Sequence, residues 1–312
     1  QPLRRSHTKQ CRNAPADELE RVRHILIAVN ELCMRCMASP PLDLLAEIAV
    51  AESRAGDASK SAEMFELALK AASNIKDSRE RYSALLGIAE NQARAGMVDA
   101  AVRTSELASS SMHRSNLLGA IATTLSDAGY VQDALNVSKL IPEEYRETRI
   151  AAVCYIASDM ATKGECSRAL AVLERVDVDA AHANELYLSQ KAGVSLTSAE
   201  ESIVYEASCK AVGLLLVVEC QAHRGRFVEA AKLAETNGFG RFRDRALRST
   251  VSIAANAGNL EVAHRIATQI RDEEEKSLAL SEVAVGEAVN GLLDDSLKTL
   301  SAIIRAQHKG ET

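Results

Sequence analysis

Three sets of residues in this 312-residue chain have the types and spacing to do chemistry. Cys33-Met-Arg-Cys36 has the CxxC spacing that supplies two thiolates to zinc or forms a redox pair. Structural zinc takes four ligands, and Cys11, His7 and His24 complete a set only if the N-terminal arm folds back. A redox CxxC is expected after a strand, and no strand pattern precedes it. The two cysteines read instead as small apolar residues on a buried helical face, and no metal is expected. The second set is basic: Arg224, Arg226, Arg241, Arg243, Arg245 and Arg248, broken by the glycine-rich Gly238-Phe-Gly-Arg-Phe242. Arg245 and Arg248 stand one helical turn apart, a spacing that can fork onto a carboxylate or phosphate; the competing use is ion pairing with Glu219, Glu229, Glu235 or Asp244. The third set, His7, His24, His113, His182, His223, His264 and His308, falls one to a helix or tail with no paired spacing. No nucleophile elbow, phosphate loop, HExxH or Ser/His/Asp arrangement occurs. The expectation is a non-enzyme without a cofactor.

The elements that position these residues follow from one layout, seen in Ala84 to Ala108. Leu85, Ile88, Ala89 and Ala93 fall on one face of a helix. Gly96 then stands where that helix must stop and the chain reverse, since glycine reaches the left-handed conformation without a Cβ penalty. Ala101, Ser105 and Ala108 make the stripe of a second helix. The same hinge, a glycine with a small residue five positions on, recurs at Gly56/Ser61, Gly96/Ala101, Gly129/Ala134, Gly164/Ala169, Gly193/Ser198, Gly225/Ala230, Gly258/Ala263 and Gly291/Ser296. Most spacings lie near the ~33-residue period of helix-pair arrays. Ile48-Ala49, Ile88-Ala89, Ile121-Ala122, Ile156-Ala157 and Val283-Ala284 each end seven residues before a hinge glycine. Connections such as Ile75-Lys-Asp77, Ile141-Pro-Glu143 and Ile270-Arg-Asp272 close one pair on an apolar residue and open the next on an acid, with Asp77/Glu80 and Asp272/Glu275 at capping-box spacing.

Ala49, Gly56, Phe65 and Ala68, with Ser61 in place of alanine, make this layout similar to the tetratricopeptide repeat family. The resemblance covers about Leu42 to Ala306 and implies an all-α fold: an α-solenoid, a right-handed superhelix of about eight tetratricopeptide-like hairpins. The expected organisation is a flexible basic arm over 1–15, a capping helix over 16–38, a single solenoid over 39–306 with an irregular unit at about 177–210, and a loose tail over 307–312. In the irregular unit the Ile-Ala signature is missing and Ser198/Glu201 looks like a helix start. No breaker follows until Gly213, so the second helix of the fifth unit is expected to run into the first of the sixth, and either a degenerate repeat or a long helix with an inserted loop explains it. The resemblance also implies that residues 13, 10, 6, 3 and 2 before each hinge glycine face a concave groove. This places Arg245, Arg248, Ser252 and Asn256 there, with Glu219 and His223 from the preceding repeat and Arg241 and Arg243 beside them. The family's Lys/Asn clamp for C-terminal carboxylates has no counterpart, which disfavours chaperone-tail binding.

A net charge of −6 gives no general attraction to phosphate backbones or anionic lipid. Hydrophobic content of 47% with only 3% aromatic residues predicts a core of Ala, Leu, Ile and Val. No segment approaches the ~18 apolar residues of a membrane span. The odd, scattered cysteines fit a reduced cytosol. The leading expectation is therefore a cytoplasmic, non-catalytic adaptor or scaffold that binds a protein or peptide segment in its groove. The alternatives are a ligand- or peptide-gated regulatory module of a larger protein and, less favoured by charge, single-stranded RNA binding by helical repeats. Self-association through an exposed final helix is left open.

Overall fold

A computed structural model describes residues 42–237 and 242–310, and in them the chain is helical with no strand. The sequence-expected arm, capping helix and CxxC pair, together with Arg241, lie outside the described residues. Fifteen α-helices are described: α1 Leu42–Arg54, α2 Ala58–Ser73, α3 Ser78–Arg94, α4 Val98–Glu106, α5 Ser111–Ala128, α6 Val131–Ser138, α7 Arg146–Thr162, α8 Cys166–Leu173, α9 Ala180–Lys191, α10 Ser198–His223, α11 Phe227–Asn237, α12 Phe242–Asn256, α13 Leu260–Ala267, α14 Glu273–Val289 and α15 Leu293–Gly310. A 3₁₀ turn, Glu143–Tyr145, leads into α7. The chain divides into two compact units, one up to Thr148 and one from Arg149. In the first, α1, α3 and α5 pack in succession and each is partnered by the helix after it. In the second, α12 follows α10 and α14 follows α12 in the same way, with α11, α13 and α15 as partners.

One hinge chemistry recurs throughout. The eight glycines singled out by their spacing are the eight with positive φ among the described residues, from +76° at Gly96 to +93° at Gly129. At each, the N–H of the next residue donates to the carbonyl four before the glycine: Met97 to Gln92 at 2.9 Å, Tyr130 to Leu125 at 2.8 Å, Asn259 to Ala254 at 2.9 Å. This closes the helix with the long bond of a Schellman motif. At seven hinges the same residue's carbonyl accepts the first intrahelical bond of the following helix, from the N–H of that helix's fourth residue, as from Ala101 to Met97 and Ala263 to Asn259, both 3.0 Å. One residue thus ends one helix and begins another, which is why the spacing from glycine to packing alanine is so constant.

Small residues let the paired helices touch. Ala49, Ala89, Ala122 and Ala157, seven before their glycines, are fully buried, as are Ala101, Ala134, Ala169 and Ala263, five after. Where serine stands in the second position its hydroxyl donates across the hairpin to that alanine's carbonyl: Ser61 to Ala49 at 2.7 Å and Ser296 to Ala284 at 2.8 Å. A buried hydroxyl needs a partner, and the close approach supplies one. Residues four before and eight after the glycine also meet. Thr104 Oγ1 donates to Gln92 Oε1 at 2.7 Å, and Thr299 Oγ1 to Glu287 Oε2 at 2.9 Å. Asp77 and Asp272 cap their helices, each accepting two backbone N–H groups, but the return bond from Glu80 or Glu275 that would complete a capping box is not among the described bonds.

The irregular stretch is resolved by α10, a single 26-residue helix. Its start is capped by Thr197 with Glu200, one residue earlier than the Ser198/Glu201 spacing suggests. Ser198 is exposed, so its match to the hinge template is fortuitous. The first half of α10 buries Ala207 and Ala211 with Ala183 of α9. The second half packs on α8 as a following repeat would. In the regular pair α12–α13 and α14, Leu260, two after its glycine, faces Gly286, five before the next, where an added Cβ would lie 3.0 Å from Leu260 Cδ2. Cys166 and Cys220 hold the same two offsets around Gly164 and Gly225, and they are joined by a disulfide with Cα atoms 5.7 Å apart. The stack therefore steps from the Gly164 hinge to the Gly225 hinge, and α9 with its loops is inserted between. The reading of every cysteine as a reduced thiol fails for this pair. Fifty-four residues of sequence separate two positions that the repeat geometry makes neighbours.

Candidate functional site

The described side chains named from sequence sit on α10 and α12, and the equivalent positions of α10, α12 and α14 form three rows. Thirteen before each hinge glycine stand Val212, Arg245 and Leu278, all exposed. Six before stand Glu219, Ser252 and Val285, and two before stand His223, Asn256 and Val289. The two rows nearer the hinge change character along the stack, from charged and polar on α10 and α12 to apolar on α14, where Val285 is 62% and Val289 80% exposed. Between the hinge ends of α10 and α12 lies an open depression of about 540 Å³, lined by His223, Phe227, Ile253, Asn256 and Asn259 with the backbone of Gly225. Phe227 and Ile253 give it an apolar floor; His223, Asn256 and Asn259 place donors and acceptors at its rim.

The arginines divide. Arg243 is nearly buried and belongs to the scaffold: it pairs with Asp244, lies 3.2 Å from Glu235 Oε1, and donates to the carbonyl of Gln269 at 3.0 Å. Asp244 in turn accepts the N–H groups of Arg271 and Asp272, at 3.3 and 2.9 Å, tying the start of α12 to the loop before α14. Arg248 is also committed, with Nε 2.6 Å from Glu275 Oε2 and Nη1 3.6 Å from Glu282 Oε1, both on α14. Of the two arginines one turn apart, Arg248 thus takes the ion-pairing use, with two carboxylates from the next helix. Arg245 is exposed and in no ion pair among the described residues. Glu219 accepts a hydrogen bond from Ser249 Oγ at 2.7 Å. Arg224 donates to the carbonyl of Gly164 at 2.5 Å, another hinge-to-hinge tie.

His223 and Asn256 are brought together at the depression, while Arg245 lies three turns earlier on α12. Sequence reasoning missed Phe227, Ile253 and Asn259 there. Asn259 directly follows its hinge glycine, so the repeat register alone could have found it. One cluster has the residue types of a catalytic triad: His264 Nε2 is 2.7 Å from Glu287 Oε1, and Thr299 bonds the other carboxylate oxygen. Gln92 and Thr104 hold the same offsets in another repeat, so this is an interhelix polar tie. Among the described residues no group of three or more metal ligands occurs, and no helix is long and apolar enough to cross a membrane.

No family model and no curated protein matches the chain. Among solved structures, Ton1535 from Thermococcus onnurineus NA1 is 16% identical, with 97% of this chain and 86% of that one covered at a TM-score of 0.35. A circular tandem repeat protein with novel repeat topology and enhanced subunit contact surfaces is likewise 16% identical, with 92% of this chain and 53% of that one covered at a TM-score of 0.23. Similarity that low carries no argument about fold or function. The class of the protein rests on its own helices: it is all-α, built of stacked helix pairs.

Proposed function

We propose that the chain is a non-catalytic adaptor of tetratricopeptide-like hairpins that holds an extended peptide segment along the face shared by α10, α12 and α14. The observation that carries this reading is the open, mixed-polarity depression between His223 and Asn256, continued by exposed apolar residues on α14. Asparagine amides both donate and accept, so Asn256 and Asn259 can satisfy the backbone of an extended strand. Arg245 has no carboxylate partner among the described residues and suits an acidic side chain. Leu278, Val285 and Val289 suit an apolar one. The ligand that fits is a segment with an acidic residue and, some residues away, an apolar pair. The disulfide weighs against the cytoplasmic placement expected from the scattered cysteines, because such bonds persist mainly in oxidising compartments.

Selection from a displayed peptide library, followed by calorimetry on the selected peptides, tests this. Peptides with an acid near an apolar pair should emerge, and Arg245→Glu and Asn256→Ala should each weaken them by about tenfold. Equal binding by both variants, or no enrichment above a helix-matched control protein, would overturn the proposal.

A further inference from the structure

Positions ten before one hinge glycine and sixteen before the next meet between successive first helices. On α12 and α14 they hold Arg248 and Glu275, whose Nε and Oε2 lie 2.6 Å apart. On α10 and α12 they hold Leu215 and Phe242, which border one crevice. Gly119 of α5 and Thr148 of α7 are a third such pair, and a Cβ added to Gly119 would lie 3.0 Å from Thr148 Cγ2. Counted from the Gly164 and Gly225 hinges, with α9 set aside as the insertion, the same two offsets fall on Cys154 of α7 and Cys209 of α10. Both are thiols in this structure. A Cβ added to Gly213, one turn after Cys209, would lie 3.6 Å from the Cys154 carbonyl oxygen, so α7 and α10 touch at this level. Cys154 also senses Cys209: burial first, and then that neighbour, push its thiol up to about 12.

We propose that Cys154 and Cys209 are an oxidation site, a dithiol that a low-molecular-weight disulfide converts into a second bridge, from α7 to α10. In a disulfide the Cβ of one cysteine stands about 3 Å from the sulfur of the other. Gly119 and Thr148 show that separation at the equivalent positions. Burial sets the order of steps. Cys209 is half-buried and Cys154 is 3% exposed, so the Cys209 thiolate attacks one sulfur of the oxidant, a mixed disulfide forms and one small thiolate leaves. Cys154 then loses its proton, and its sulfur attacks the Cys209 sulfur. The protein bridge forms and the second small thiolate leaves. Two protein thiols are oxidised, one small disulfide is reduced, and the two protons lost by the protein end on the two released thiols. Since Cys166–Cys220 already joins α8 to α10, the second bridge ties both helices of the α7–α8 hairpin to α10.

Oxidised glutathione, added to the folded full chain before a non-reducing tryptic digest and mass spectrometry, tests this. The expected product joins the peptide of residues 150–163 to that of residues 192–210. Closure from the mixed disulfide should quicken about tenfold for each added pH unit, because the Cys154 thiolate fraction does so below its raised value. In Cys154→Ser the reaction should stop with glutathione on Cys209; in Cys209→Ser, Cys154 should take up none. A wild-type chain in which Cys209 keeps its glutathione, or in which Cys154 stays a thiol, would overturn the proposal. So would a linkage that forms as readily in urea as in the folded chain, since the repeat geometry would then have no part in it.

Discussion

Gly96 and Gly56 have the same backbone job and different surroundings. Both hold φ in the left-handed region, at +76° and +87°, where an alanine costs roughly 1–2 kcal/mol. A Cβ at Gly56 meets nothing within 4 Å, whereas at Gly96 it would lie 2.8 Å from the Tyr130 hydroxyl and 2.9 Å from its ring carbon. Gly96→Ala is therefore expected to lower Tm clearly more than Gly56→Ala in paired thermal melts; equal losses would mean that Tyr130 moves freely. Glu287 offers a second comparison. Its buried carboxylate holds Thr299 and His264, and Gln92 does the equivalent task as an amide. Glu287→Gln should leave stability nearly unchanged, while Glu287→Ala, which orphans the buried Thr299 hydroxyl, should cost about 1–3 kcal/mol in denaturant titration. Cys154 is buried in α7, and burial, then Cys209 nearby, pushes its thiol up to about 12. It should resist alkylation at pH 8 in the folded chain and react fully in urea. Between the ordinary thiol value near 9 and about 12 the folded chain keeps a proton that the unfolded chain releases, so this group's effect on stability falls as pH rises through that window.

At the scale of elements, the hinges were legible in sequence because their cause is local. A glycine with positive φ, a buried alanine seven before it and a small residue five after are fixed by the turn and by how closely two helices approach. The commitments of the arginines were not legible, since Glu275 and Glu282 reach Arg248 from a helix about thirty residues on and no periodicity announces a carboxylate there. The same limit hid the disulfide: Gly193 fits the template, and counting it as a member of the stack puts Cys166 and Cys220 two repeats apart. The two cysteines adjoin once α9 is recognised as an insertion. Cross-linking a 54-residue separation is worth about 4 kcal/mol in the chain-entropy account. Cys220→Ser, or reduction of the wild type, should lower Tm by several degrees, and reduction of the variant should change nothing further. A reduced wild type that melts where the oxidised one does would remove the disulfide from the list of what holds α10 in place.

For the whole molecule, charge and composition decide what the repeats face. An excess of acids, 43 against 37 lysines and arginines, gives single-stranded RNA no general electrostatic attraction to the chain. No shift of a mixed-sequence RNA is expected in gels even at low salt; binding that weakens steeply with added salt would restore the RNA reading. The disulfide has one further consequence, topological in kind. The backbone from Cys166 to Cys220 and the sulfur bridge form a closed ring, and the chain enters and leaves that ring at its two cysteines. The loops on either side of α9, at 177–179 and 194–197, lie within it. A protease that cuts either loop opens the ring without dividing the molecule. The nicked protein should run as one species without reductant and as two with it, and α8 and α10 should stay joined after the peptide chain between them is severed.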